Sequence, residues 1–361
     1  MAKLKYIWVL LLVVVLSSFS EPDSLLIKQT KEIATEAKIP LLQLAYNDGN
    51  HILSFELSQI DSIAATEDCS AVFKAASLSK VVFAYIVLKM ADRGEIGLDT
   101  PVYKYTNIDR FENKEGAKLI TPRMVLSHRA GLSNWAAGVS TDAWPTAIIK
   151  FKYPPDSTFS YSGEAYAFLQ RAVEDIRGKS IQKVAEEEVF IPFGMPNTSY
   201  GWKENYEVKA ADEYNRRGEN VGKQIYPREN VGYTLRTTAN EYARFIQNAI
   251  VEGKGLKPET HRLMLTPTGI AHRNEEAKEY DKYIEWGLGI GIEHNEELGD
   301  IYHHWGDNGN FKALFIVVPK ENKYLVYLTN SQNGHDIIDQ LTPLFFGNIK
   351  PLHLSAWIKN R

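Results

Sequence analysis

Ser77-Leu78-Ser79-Lys80-Val81-Val82-Phe83-Ala84-Tyr85-Ile86-Val87-Leu88-Lys89-Met90-Ala91-Asp92 is the stretch on which the fold turns. From Lys80 to Asp92 it has the length of a helix and is apolar on nearly every side. A surface helix keeps a polar face, whereas one that is greasy all round is buried all round. The segment therefore predicts a helix at the centre of a domain, and the flanking sequence must supply the layers that cover it.

Upstream, Leu41 to Tyr46 reads as a strand, Asn47-Asp48-Gly49-Asn50 as a turn and His51 to Leu57 as a returning strand, after a helical opening at Ile27 to Ala37. From about Asp99 to Gly253 the text is mostly helical segments and loops. Strands return at Trp286 to Ile292 and Ala313 to Val318; Pro319 to Asn322 turns the chain, Tyr324 to Leu328 pairs back, and His335 to Phe346 closes as a helix. Strands at both ends with helices between predict an α/β fold: one antiparallel sheet built from both chain ends, flanked by helices, with an inserted, mostly helical lobe. The expected division is a leader at 1–20 and one domain at 21–361, its sheet part at about 21–98 and 260–361 and its lobe at about 99–259. A cleft between sheet and lobe is a natural place for a small-molecule site.

The 361 residues carry 41 Lys+Arg against 45 Asp+Glu, a net charge of -4, so no basic excess points to nucleic acid. The lone Cys69 excludes an internal disulfide and a cysteine-based zinc site, and is expected to be buried and inert. Lys3 and Lys5, the apolar run Tyr6 to Leu16 and Ser17-Ser18-Phe19-Ser20 have the form of a cleavable export leader. The run is too short to argue a membrane span. Export to a periplasm or the exterior is the expectation; a retained N-terminal anchor is the alternative.

Three segments carry candidate chemistry. Ser77 and Lys80 stand three apart and share a helix face, so hydroxyl and amine can touch. A serine at a helix N-terminus has free N–H groups beside it, and a lysine desolvated by Val and Phe side chains can act as a base. The alternative is a plain N-cap serine; a second match, Ser180-Ile181-Gln182-Lys183, flanked by Glu186-Glu187-Glu188, reads as a solvated helix face. Tyr161, with Ser162 and Gly163, sits on a loop after Tyr153-Pro154-Pro155-Asp156 and can point into a cleft, although a core tyrosine is the default. His303-His304-Trp305-Gly306-Asp307 leads into the strand at Ala313, its glycine permitting close backbone approach. Adjacent strand residues face opposite ways, so a metal is not expected there, nor any cofactor. Gly287-Leu288-Gly289-Ile290-Gly291 lacks the setting of a nucleotide-binding turn and reads as a strand with close packing. Asn197-Thr198-Ser199 has the form of a glycosylation acceptor.

The order of these elements resembles the serine β-lactamase and penicillin-binding superfamily, in particular its class C-like branch. Leu126-Ser127-His128-Arg129-Ala130-Gly131-Leu132, Tyr161-Ser162-Gly163, Ile191 to Ser199, Thr237 to Phe245 and Trp286-Gly287-Leu288-Gly289 are similar to further segments of that branch. The resemblance implies acyl transfer through a serine ester: Ser77 as nucleophile, Lys80 as its base, Tyr161 as proton relay, and an oxyanion hole from the N–H groups of Ser77 and Asp307. His304-Trp305-Gly306 and Ser162-Gly163 would line the substrate. Two departures stand out. His304 replaces the family's third-motif lysine, putting there a group expected to titrate near neutrality, and Gly163 replaces an amide-binding asparagine. The implied function is an exported serine hydrolase on a small amide, ester or peptide; a carboxylesterase and a non-catalytic penicillin-binding sensor are the alternatives.

Overall fold

The computed structural model describes residues 20–59, 69–347 and 350–359. The expected leader lies outside the described residues except for Ser20, whose hydroxyl accepts from the Asp23 amide and caps helix α1 (Glu21–Glu36). That cap starts the helix earlier than its apolar residues do. Strands β1 (Leu41–Asn47) and β2 (Ile52–Ser58) form the expected hairpin, its turn closed by the Asp48 carboxylate accepting from the amides of Asn50 and His51. The greasy segment is helix α2 (Ser79–Asp92), and α3 (Gly163–Arg177) is the long helix of the lobe. Strands β3 (Ile284–Trp286), β4 (Gly291–Asn295), β5 (Gly299–Asp307), β6 (Lys312–Val318) and β7 (Lys323–Thr329) follow, then helices α4 (Ile338–Phe346) and α5 (His353–Lys359).

The sheet runs β2-β1-β7-β6-β5-β4-β3, every neighbour antiparallel, so the two ends of the chain meet where β1 pairs with β7 (Leu42 opposite Thr329). Alternation along the strands sends Ala45, Phe315, Val317, Val326 and Leu328 to the face covered by α2 and the lobe. Leu42, Leu44, Leu314, Ile316 and Leu325 face α1, α4 and α5. With both faces covered, β6 is buried throughout, which explains its unbroken apolar text.

Two readings need correction. Trp286 to Ile292 is not one strand: the chain turns between β3 and β4, Gly287 N donating to Ile290 O at 2.9 Å and Gly289 adopting φ +86°. The turn presses on α2, since a Cβ at Gly289 would lie 2.3 Å from Ala84 Cβ. The second concerns His303 and His304, read as strand neighbours without bounds for their strand: they belong to β5, which runs for 9 residues, its Asp300, His303, His304 and Asp307 hiding the pattern. No helix among the described residues is long and apolar enough to cross a membrane.

Candidate active site

From Val72 to Leu88 every residue is buried except Ser77. It sits in a tight 3-10 turn, Ala76–Leu78, immediately ahead of α2. Ala76 holds φ +50°, a left-handed conformation that costs an alanine about 1–2 kcal/mol. The turn is pressed by β5, where a Cβ on Gly306 would stand 2.4 Å from the Ala75 carbonyl oxygen. Only glycine allows that approach, and it brings the end of β5 beside the serine. Ser79 has the opposite fate: its hydroxyl accepts from Leu235 N at 3.0 Å and is fully buried.

One helical turn on, Lys80 places Nζ 3.1 Å from Ser77 Oγ, donating, and 2.6 Å from the Gly232 carbonyl. Its surroundings are rings, with Nζ 4.8 Å from the centre of Tyr161 and 5.8 Å from that of Tyr166. Among the described residues no carboxylate pairs with it, and burial brings its pKa down from 10.5 to about 7. At neutral pH a large fraction of this amine is therefore unprotonated and able to accept the Ser77 proton.

Tyr161 is set by a clamp from one residue. Ser160 N donates to the His128 carbonyl at 2.6 Å and Ser162 N to His128 Nδ1 at 3.1 Å, while the His128 ring stacks on Tyr161 with centroids 4.2 Å apart. His128 itself is bent to φ +55°. Accepting at Nδ1 fixes its proton on Nε2, and burial with the neighbouring Lys80 and His304 holds it neutral, well below the ordinary histidine pKa. The Tyr161 hydroxyl faces Ser77 closely enough to interact with it, without a hydrogen bond of ordinary geometry. Burial raises its pKa, so it remains a phenol able to donate.

Ser77, Tyr161, Trp305 and Asp307 line one cleft of ≈780 Å³ between sheet and lobe. The other expected contacts move elsewhere. His304 is completely buried, its Nδ1 2.7 Å from the Trp305 carbonyl, and burial followed by the charge of Lys80 holds its pKa well below 6.5. It is therefore a neutral group behind the wall, not one titrating near neutrality. Ser162 is the buried N-cap of α3, donating to Ser133 O at 2.8 Å and accepting from Ala165 N at 3.0 Å. Gly163 leaves no open subsite, because the Trp135 indole fills the space a side chain would take. Gly306 contributes its backbone only. His303 points to the opposite face from His304, buried against Gly291 and Trp286.

The second Ser-x-x-Lys is a surface helix start: Ser180 caps Ile181–Ala185, and exposed Lys183 pairs with Glu186. The Asn197 amide is committed to Glu241 and Thr198 is buried, so the sequon is part of the packing. Cys69 is buried. Sequence reasoning missed His128 as a positioning residue, together with Arg273 and Trp357, which also line the cleft. For His128 the available signal was its place just before Gly131; the other two carry none.

A serine raised from a buried turn, a desolvated lysine one helical turn away and a phenol over both, in a cleft beside an antiparallel sheet, define a β-lactamase/transpeptidase-like fold and site. The Beta-lactamase family profile matches residues 30–342, and the chain belongs to that family. It is 25% identical over 323 residues to penicillin-binding protein 4 of Amycolatopsis lactamdurans, covering 82% of each chain. In structure it is similar to the octameric penicillin-binding protein homologue from Pyrococcus abyssi, with a TM-score of 0.74, 19% identity, and 91% of this chain and 79% of that one covered. The β-lactamase/D-alanine carboxypeptidase from Yersinia pestis superposes with a TM-score of 0.71 at 18% identity, over 90% of this chain and 99% of that one.

Proposed function

We propose that this protein is an exported serine hydrolase that forms an acyl-enzyme at Ser77 on a small amide or ester and then releases the acyl group to water. One observation carries the reading: an amine with a pKa of about 7 stands 3.1 Å from a hydroxyl that is the only partly exposed group in a buried run. Lys80 takes the Ser77 proton as Oγ attacks the carbonyl carbon. The developing oxyanion is met by the N–H groups of Ser77 and Asp307, brought together by the close approach of Gly306. Tyr161 donates its proton to the leaving group as the tetrahedral intermediate collapses. In the second half water attacks the ester and gives its proton to the Tyr161 phenolate, while Lys80 returns its proton to Oγ and Ser77 leaves as a hydroxyl.

Family membership and the D-alanine carboxypeptidase and amidohydrolase names carried by similar structures favour an amide or peptide substrate. Hydrolysis of simple esters is the second reading, favoured by Trp135 over Gly163, which removes a polar contact for an acyl-side amide. Export is supported by the leader-like sequence of residues 1–20 alone.

The test is the intact mass of the protein after brief exposure to a fluorophosphonate, p-nitrophenyl butyrate and a chromogenic cephalosporin, each compared with Ser77→Ala. An adduct or turnover that vanishes in the variant supports the mechanism, and the compound that produces it separates esterase from β-lactamase. Turnover that survives in Ser77→Ala rules the mechanism out, and an adduct that never turns over favours a sensor.

A further inference from the structure

We propose that His335 is a positioning residue of this site: it holds the Gly306–Asp307 peptide so that the Asp307 N–H is aimed at the oxyanion formed at Ser77. The proposal rests on the serine-hydrolase reading and adds a residue to its machinery. His335 is buried in the turn that joins β7 to α4. Its Nε2 stands 3.1 Å from the Gly306 carbonyl oxygen and its Nδ1 3.2 Å from the Tyr327 hydroxyl. A carbonyl oxygen only accepts, so Nε2 carries a proton and donates. Tyr327 is fully buried, and burial with the charges of Asp336 and Asp339 keeps it a phenol, the matching donor for Nδ1. Two hydrogen bonds in series therefore run from β7 to the end of β5.

The Gly306 carbonyl and the Asp307 N–H are the two ends of one trans peptide and point in opposite directions. Whatever fixes the oxygen also fixes the direction of the N–H. This peptide needs a hold from outside, because Gly306 has no side chain to limit its dihedral angles. Strand β4 pairs with β5 only as far as His303, so among the described residues only β6 pairs with the rest of it. The Ser77 turn presses on Gly306 from the face of α2. Tyr327, Leu314 and Trp305 stand in one row on the other face, and His335, bonded to Tyr327, reaches the carbonyl from there. A donor on a carbonyl also polarises the amide and strengthens its N–H, by about 10–30% per bond.

The turn that carries His335 is itself fixed. A Cβ on Gly334 would stand 1.9 Å from Thr329 Oγ1 and 2.7 Å from Lys312 Cβ, so a glycine is needed for the turn to lie against β7 and β6. The neighbouring Asn333 side chain donates to the carbonyls of Ala37 at 2.8 Å and Arg216 at 3.1 Å. The His335 carbonyl accepts from Ile338 N at 3.4 Å and joins the turn to α4. Asp307 is tied through its side chain as well, accepting from Gly309 N at 3.0 Å and pairing with Lys312. With the carbonyl before it and the side chain after it both held, the Asp307 N–H has little freedom to tilt.

The experiment is stopped-flow acylation by p-nitrophenyl butyrate, which separates binding from the acylation step, in the native chain, His335→Leu, His335→Gln and Tyr327→Phe. His335→Leu removes the donor at similar bulk and should slow acylation by about 10- to 100-fold, short of the full loss of an oxyanion donor at about 10²–10³-fold. Its binding constant should stay within about two-fold of native, the mark of an interaction made in the transition state. His335→Gln, whose amide can still donate to Gly306, should recover most of the rate, and Tyr327→Phe should lose less than His335→Leu. Gly-Asp occurs twice in the chain, at Gly299–Asp300 and Gly306–Asp307. Glycine labelled at its carbonyl carbon and aspartate labelled at its nitrogen therefore isolate these two peptides by NMR. The Gly306–Asp307 signal should move in His335→Leu and return in His335→Gln, while Gly299–Asp300 stays. An acylation rate in His335→Leu within about two-fold of native, equal losses in the Leu and Gln variants, or an unmoved Gly306–Asp307 signal overturns the proposal. Should His335→Leu fail to fold, an unchanged rate and signal in Tyr327→Phe overturn it. Should the native chain show no acylation that depends on Ser77, the serine-hydrolase reading falls instead, and the NMR signal alone decides whether His335 holds this peptide.

Discussion

Trp135 occupies the space of a side chain at position 163: a Cβ built on Gly163 would stand 2.1 Å from the indole. The indole also packs on Gly232, whose carbonyl holds the Lys80 amine. One aromatic side chain thus takes the place of an amide contact and buttresses the base. Gly163→Asn alone is expected to cost about 1–3 kcal/mol through overpacking. The double variant Gly163→Asn/Trp135→Ala should recover most of that loss, and denaturant titrations of the four forms measure the coupling. Additive losses would show that the two positions do not compete for space.

Acylation of Ser77 should rise with pH through about 7 and then level off, because the proposed mechanism needs Lys80 neutral. Stopped-flow labelling by a neutral fluorophosphonate gives the profile directly. His304 and His128 are held neutral well below their ordinary pKa, so neither adds an inflection between pH 6 and 8.

Lys80 makes the folded state pay for its chemistry in stability. Its folded pKa, about 7, lies below its ordinary 10.5, so between those values the unfolded chain binds the extra proton and stability rises with pH. Below pH 7 the folded chain carries the buried charge. Lys80→Met should therefore be inactive yet gain thermal stability over the native chain, most at pH 6 and least near pH 10. Melting curves at the two ends test the sign.

Tyr161→Phe should lower turnover by roughly 10²–10⁴-fold, the usual range for a proton-transfer group. Its hydroxyl is buried without a well-formed hydrogen bond, so the melting temperature should hold or rise. A variant that unfolds would instead make Tyr161 a packing residue.

The sheet-and-lobe plan was legible because its signals are local. The greasy α2, the Asp48-Gly49 turn and the apolar β6 each declare themselves within a few residues. The Ser77–Lys80 contact was legible for the same reason, being one turn of helix. The environment of His304 was not, since its burial comes with the rings of Tyr161, Trp286 and Trp305, two of them distant in sequence, and an exposed and an enclosed imidazole read alike in the text. Arg273, Trp305 and Trp357 meet only after β3 to β5 and α5 have packed, so no short window of sequence contains their contact.

The pairing of Leu42 with Thr329 has a consequence in time. Ser77 comes long before the strand pressed against its turn and the tryptophans of the cleft in the order of the chain. Contacts so distant in sequence form late, after local helices and hairpins. A growing chain therefore carries Ser77 and Lys80 before the wall beside them exists. The wall of the cleft beside Ser77 therefore stands only once β5 and α5 have been made and packed.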